Sequence, residues 1–409
     1  MRAQIIAIAA ILCCAAFLLS CNISPSYDTS LLDAQDYTEL APILYEIDDE
    51  DEMIYMEEVN VIEEVEVEAI LELEEPIDPI NEAIAQMTLY EKIGQIFVIR
   101  LPDPNSARRL IEDHHIGGFI FFSDHVSSTE QVQQQIATLQ DASTIPLFIA
   151  VDEEGGRVSR IGRLFPAQIG TALSLGNTGD TQVAYDAYYT IGQQLSYLGF
   201  NMNFAPVADI WTNPANTVIG DRAFGTEPEL VANMTVAAVQ GLQSAGILSV
   251  IKHFPGHGDT VEDSHYNMAF YNHNCERFNE IEAIPFRRGI DAQTDGVMIG
   301  HIATPYFHPD YPSKPAVFSS YWMEQVLRTE WGFDGLIITD ALDMRGLTNY
   351  YSNSDIALNA FLGGADILLM PVNPEEAITA MVEAYNNGKF TQDRLDASLR
   401  RILSAKLHI

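Results

Sequence analysis

Between Asn22 and Glu91 the chain has no lysine or arginine at all, against 22 aspartates and glutamates. Basic residues stay scarce afterwards, with 20 against 36 acidic ones from Lys92 onward, and the formal net charge is −37. That balance excludes nucleic acid as a partner and adhesion to anionic lipid headgroups, because both require a basic surface. Cysteine is almost as rare. Cys13, Cys14, Cys21 and Cys275 are the whole set, too few and too dispersed for a disulfide framework. Long apolar runs are missing: the best, Ile5 to Leu19, is shorter than the roughly 20 residues that span a bilayer. A glycine-rich phosphate turn is missing as well, since Gly155-Gly156 is too short a signal for the dinucleotide fingerprint.

What is present begins with an export pattern. Arg2, the apolar stretch to Leu19 and the sequence Leu18-Leu19-Ser20-Cys21 resemble a bacterial lipoprotein signal. The expectation is removal of residues 1–20, lipidation of Cys21 and a location on the membrane face outside the cytoplasm. Cys275 is then left without a partner. Residues 21–78 follow as an acidic segment. Between Asp48 and Glu75 acidic residues alternate with Val, Ile and Met, without glycine or turn chemistry, which predicts an extended, self-repelling tether. The alternation of Val59 to Leu73 also allows a strand with some partner.

Residues 79–409 form the candidate catalytic domain, with no low-complexity break. Eight short apolar runs recur along it: 95–100, 117–122, 146–152, 201–209, 248–253, 296–301, 335–340 and 365–370. Helix-like stretches at 180–198, 229–245, 320–330, 354–362 and 374–387 lie between them. Strands apolar on both faces and alternating with helices predict a parallel sheet under a helical layer. With eight repeats, a closed α/β fold, the (β/α)8 TIM-type barrel, is the economical solution. An open doubly wound sheet is the competing architecture.

Several runs end in Asp152, Asp209, His253, His301 or Asp340, which a barrel gathers at its C-terminal mouth. The densest chemistry is Lys252-His253-Phe254-Pro255-Gly256-His257-Gly258-Asp259-Thr260, followed by Asp263-Ser264-His265. One cation, three imidazoles and several carboxylates around a Pro-Gly turn mark an active-site rim rather than a solvated surface. Position within the glycine turn alone favours His257 as a proton-transfer group.

Four motifs in order resemble glycoside hydrolase family 3, in its β-N-acetylglucosaminidase branch. They are Val151-Asp152-Glu153-Glu154-Gly155-Gly156-Arg157-Val158, Ile219-Gly220-Asp221-Arg222-Ala223-Phe224-Gly225, the Lys252 to His265 segment, and Ile338-Thr339-Asp340-Ala341-Leu342-Asp343-Met344. The resemblance implies that Asp340 is the nucleophile, and that His265 is the acid/base with Asp263 as its orienting partner. It assigns His257 to shaping the loop. Asp152, Arg222, Lys252 and His253 match sugar-binding positions; Asp209 and His301 are divided between substrate contact and strand-end hydrogen bonding. Glu153 stands where this branch has glutamine, which puts an extra charge beside Asp152. About 70 residues follow Asp340, enough to complete a barrel, so the acid/base is expected inside it. The implied reaction is retaining removal of terminal β-linked N-acetylglucosamine, with no cofactor or metal, from peptidoglycan fragments or chitin-type oligosaccharides. Oligomeric state is left open.

Three other readings compete. His253, His257, Asp259, Asp263, His265 and His301 could surround a divalent ion, although Phe97-Val98-Ile99-Arg100 lacks the His-x-His that metal-dependent amidohydrolases on this fold carry. A binding protein without turnover is the second. The third is a phosphorylase, since a histidine acid/base carries no negative charge to repel phosphate.

Overall fold

The computed structural model describes residues 78–166, 168–307 and 314–409. The expected signal peptide, Cys21 and the acidic tether up to residue 77 lie outside the described residues. Among the described residues ten strands run in chain order: β1 Phe97–Arg100, β2 Gly118–Phe121, β3 Phe148–Val151, β4 Met202–Asn203, β5 Leu248–Phe254, β6 Ala269–Phe270, β7 Gly296–Ile299, β8 Ile302–Ala303, β9 Leu336–Thr339 and β10 Leu368–Leu369. Eight of them form one parallel sheet in the order β10-β1-β2-β3-β4-β5-β7-β9. A parallel bridge between Ile338 and Ile367 and a 3.0 Å bond from Thr339 N–H to the Ile367 carbonyl join its two ends. The result is a (β/α)8 barrel, and all eight expected runs supply its strands. The short pair β6 and β8 lies apart, with Ala269 opposite Ile302 and Phe270 opposite Ala303.

The strands form where they do because both of their faces are covered. Every residue of β2, β3, β7 and β9 is buried, so continuous apolar sequence replaces the alternation of a half-exposed sheet. The run at 201–209 yields only two residues of regular strand. Pro206 has no N–H to give to a ladder, although Ala208 N–H still reaches the Lys252 carbonyl at 2.7 Å. Helices start on side-chain caps: Asp103 for Pro104–Glu112, Asp180 for Thr181–Leu198, Thr391 for Gln392–Lys406. Residues 321–330, expected as an ordinary helix, are wound as a π-helix. Among the described residues no helix is long and apolar enough to cross a membrane.

The end of the barrel opposite its mouth is closed by the helix Gln392–Lys406. Lys406 is buried, and its Nζ donates to Gln95 Oε1 at 2.8 Å and to the Gly117 carbonyl at 2.9 Å. Burial pushes this amine down to about 7. The amine also lies over the Phe148 ring, 4.8 Å from its centroid. Lys92 reaches Asp396 at 2.7 Å and Arg400 reaches Asn81 at 2.6 Å. The floor helix is thereby stitched to Pro79–Gln86 and Leu89–Gln95, which precede β1.

Candidate active site

The C-terminal ends of β3, β5 and β9, with the segments after β4 and β7, deliver Asp152, Lys252, His253, Asp209, His301 and Asp340 to one mouth. Lys252 is buried, with Nζ 2.6 Å from Asp152 Oδ1 and 2.7 Å from Glu154 Oε1. Glu154 takes Arg222 in a two-pronged pair, both bonds at 2.8 Å. Arg222 also approaches His253 Nε2 at 3.3 Å. A guanidinium only donates, so Nε2 accepts and the ring proton sits on Nδ1, which gives it to Asp209 Oδ2 at 2.6 Å. The four expected sugar-binding residues are therefore one connected unit with Glu154 at its centre.

Burial works against charge throughout this unit and is outweighed by pairing. Burial opposes ionisation of Glu154, yet Arg222 and Lys252 hold its carboxyl far below the usual glutamate range. Burial likewise opposes the charge of Lys252, but Asp152 and Glu154 lift it above the ordinary lysine value. The side chains converge as fixed charges in a low-dielectric wall.

Glu153 and Glu154 follow each other but serve different surroundings. The Glu153 carboxylate accepts the Ser159 hydroxyl at 2.5 Å and the Arg160 and Ile161 N–H groups at 2.6 and 2.9 Å. Its charge is thus spent on bracing the loop after β3 and does not stand beside Asp152. Glu154 was absent from the residues expected to act. Alternation could have found it, since residues two apart at a strand end share a face, and Asp152 and Glu154 both reach Lys252.

Asp340 keeps its N–H on the Ile299 carbonyl at 2.9 Å, and its Oδ1 accepts the Ala341 N–H at 2.8 Å. Burial would raise its pKa, but the His301 and His253 imidazoles and the Ala341 N–H hold the carboxyl below the ordinary aspartate range. His301 donates from Nε2 to the Ala341 carbonyl at 2.8 Å, and its buried Nδ1 has no hydrogen-bond partner among the described residues. Asp209 is fully buried, with Oδ2 on His253 and Oδ1 on the His257 N–H at 2.7 Å. Both residues thus make strand-end hydrogen bonds, and Asp209 orients His253.

His257 is enclosed, with Nδ1 2.6 Å from Thr260 Oγ1 and Nε2 2.9 Å from Ser264 Oγ. Burial pushes it down to about 4, so it stays neutral at physiological pH. The glycines beside it are required by contact: a side chain on Gly258 would collide with the Ile210 carbonyl, and one on Gly256 would come within 2.9 Å of Glu282 Cγ. A stability effect follows from the depressed His257 value. The unfolded chain binds this proton from about pH 6.5 downward and the folded one only near pH 4, so stability falls across that window, by about 3 kcal/mol. Unfolding midpoints measured from pH 7 to 4.5 should drop in the native protein and drop less in His257→Gln. Parallel profiles would mean that the ring is protonated in the fold.

The Asp263–His265 pair sits on the loop after β5. His265 Nδ1 is 2.7 Å from Asp263 Oδ1, which also accepts the His265 N–H at 2.9 Å. The His265 side chain is 60 % exposed, leaving Nε2 as the ring nitrogen open to a ligand. The His265 carbonyl accepts the Arg345 N–H from the segment after Asp340 at 3.3 Å. Beside that segment lies a cavity of about 320 Å³, lined among others by Arg100, Ser106, Arg109, Asp343 and Glu375. The residues that could have ringed a metal are not gathered: His253 is engaged with Asp209, His257 with Thr260 and Ser264, Asp259 with His273 at 2.5 Å. Among the described residues no group of three or more such ligands converges.

Known proteins resemble the chain in sequence and in fold. A β-hexosaminidase A of Pseudoalteromonas piscicida is 36 % identical over 331 residues, covering 74 % of this chain and 55 % of that protein. The β-hexosaminidase LpqI of Mycobacterium tuberculosis is 32 % identical over 328 residues, covering 77 % of this chain and 82 % of its own. A solved family 3 β-N-acetylglucosaminidase from Paenibacillus superposes with a TM-score of 0.76 at 38 % identity, over 79 % of this chain and 62 % of that one. The chain thus spans little more than half the length of some relatives. Residues 88–405 match the glycosyl hydrolase family 3 N-terminal domain, and the chain belongs to that family.

Proposed function

We propose that the protein is a retaining exo-β-N-acetylglucosaminidase that removes terminal β-linked N-acetylglucosamine, with peptidoglycan fragments as its source. One observation carries the reading: Asp340, a half-buried carboxyl at the end of β9 held below the ordinary aspartate range by the imidazoles near it, shares its mouth with a paired hydroxyl-binding unit and an exposed imidazole. Asp152 accepts from sugar hydroxyls while Arg222, Lys252 and His253 donate or accept at fixed angles. An epimer would leave one of these buried partners unpaired.

In the first step His265 gives its Nε2 proton to the glycosidic oxygen. Asp340 bonds to the anomeric carbon and the leaving alcohol departs toward the cavity at Arg100 and Asp343. In the second, His265 takes a proton from water as the oxygen attacks that carbon and frees the Asp340 carboxylate. Asp263 holds Nδ1, so the working proton sits on Nε2. These groups complete both steps without a cofactor. Residues 79–409 are the catalytic domain in this reading. Lipidation of Cys21 and the acidic segment would hold it off the membrane after export.

A slowly turned-over fluorinated N-acetylglucosaminide tests the proposal. Mass spectrometry should find the sugar on the peptide containing Asp340, and NMR of a natural substrate should show the β-anomer first. A label elsewhere, or the α-anomer first, would overturn it. Running the assay with inorganic phosphate decides the acceptor, because a phosphorylase yields the sugar 1-phosphate in place of free sugar.

A further inference from the structure

The loop that bears Asp263 and His265 is tied at its base by residues remote from the sugar-binding unit. Asp259, where the loop begins, has Oδ2 2.5 Å from Nε2 of His273, which lies just past β6. The other Asp259 oxygen accepts the Thr212 hydroxyl at 2.7 Å and Arg277 at 3.4 Å. Arg277 also bonds Glu282 at 3.1 Å, and buried Glu282 accepts the Tyr271 hydroxyl at 2.6 Å. Among the described residues no hydrogen bond joins this cluster to Asp340, Lys252, His253 or Arg222.

The tip of the loop is held more loosely. His265 and Ser264 carbonyls accept the Arg345 and Gly346 N–H groups at 3.3 and 3.2 Å, the long end of the range. The His265 ring is mostly exposed, so packing does not fix it. Near the pair, side-chain restraints come from the His257–Ser264 contact at 2.9 Å and from Asn349, whose Nδ2 donates to the Tyr266 carbonyl at 3.2 Å. These tip restraints do not grip the ring itself, so the direction in which the imidazole points depends also on how the ends of the loop are joined, and an error of about 1 Å at a reacting group can reduce rate about 100-fold.

We infer that Asp259 and His273 are a latch that positions the acid/base: their bond closes the loop's base and holds His265 where it meets the leaving oxygen. The inference rests on His265 being the acid. Both residues are positioning residues and touch no substrate.

The test compares kcat/KM, which reports the first chemical step, on N,N′-diacetylchitobiose and on a 2,4-dinitrophenyl N-acetylglucosaminide. The latter's leaving group needs no proton. In the full-length protein His273→Ala should lower the chitobiose value about 30-fold or more and the dinitrophenyl value less than about 3-fold. His273→Gln keeps a donor toward Asp259 and should recover most of the loss. Melting temperatures confirm that each variant folds. Equal losses on both substrates, or a chitobiose value within about 3-fold of the parent, would overturn the latch. His265→Ala, run in parallel, separates the two claims. If it discriminates between the substrates and His273→Ala does not, only the latch falls; if it fails to discriminate, the acid assignment falls and the latch with it.

Discussion

Replacing Asp340 by alanine should lower kcat on an activated aryl N-acetylglucosaminide by about 10⁴-fold or more, with a melting temperature within a few degrees of the parent. The fold is spared because the backbone bonds around position 340 do not need the carboxylate: its N–H stays on Ile299 and His301 stays on the Ala341 carbonyl. The chemistry is lost because the ester to the anomeric carbon forms on this carboxylate in the proposed reaction. Glu154 is committed to Arg222 and Lys252, and Asp209 to two histidines. Azide should occupy the vacated space and attack from the same side, giving the α-glycosyl azide. A variant that keeps more than about a hundredth of parental turnover would remove Asp340 from its role.

The second large effect belongs to Glu154. Changing it to alanine leaves the buried Lys252 and the nearly buried Arg222 without their shared counter-charge, and breaking such a buried pair costs about 3–5 kcal/mol. The melting temperature should fall by several degrees and kcat/KM by about 1,000-fold, since Lys252 and Arg222 would no longer hold their directions. Glu154→Gln should lie between. The stabilisation has a pH window: a carboxyl held below its unfolded value contributes above the ordinary glutamate range and loses that contribution as pH falls through its folded value. The gap in stability between parent and variant should therefore narrow in acid. A Glu154→Ala protein with parental melting temperature and activity would show that Asp152 alone satisfies both cations.

Why some of this was legible in the sequence and some was not has a physical basis. Parallel strands covered on both faces must be apolar throughout, so eight short runs announce eight strands, and the last residue of each run points to the mouth. Asp152, His253, His301 and Asp340 could be picked out for that reason. The length of the fourth strand could not, because Pro206 interrupts a ladder that sequence alone does not draw. Nor could the winding of residues 321–330, where a shift from i→i+4 to i→i+5 bonding leaves the same amphipathic residues in place. At the site the obscure features are contacts across distance. Glu154 meets Arg222 and Asp259 meets His273 only after folding. Glu153, expected to add a charge beside Asp152, turns instead to Ser159, Arg160 and Ile161, partners that only the folded loop supplies.

The stitching of the floor helix Gln392–Lys406 to the segments before β1 orders events in time. While the chain is being made, those first helices wait for a partner that is synthesised some 300 residues later, and until it arrives the underside of the sheet is open to water. The nascent polypeptide therefore lacks a closed core during most of its elongation.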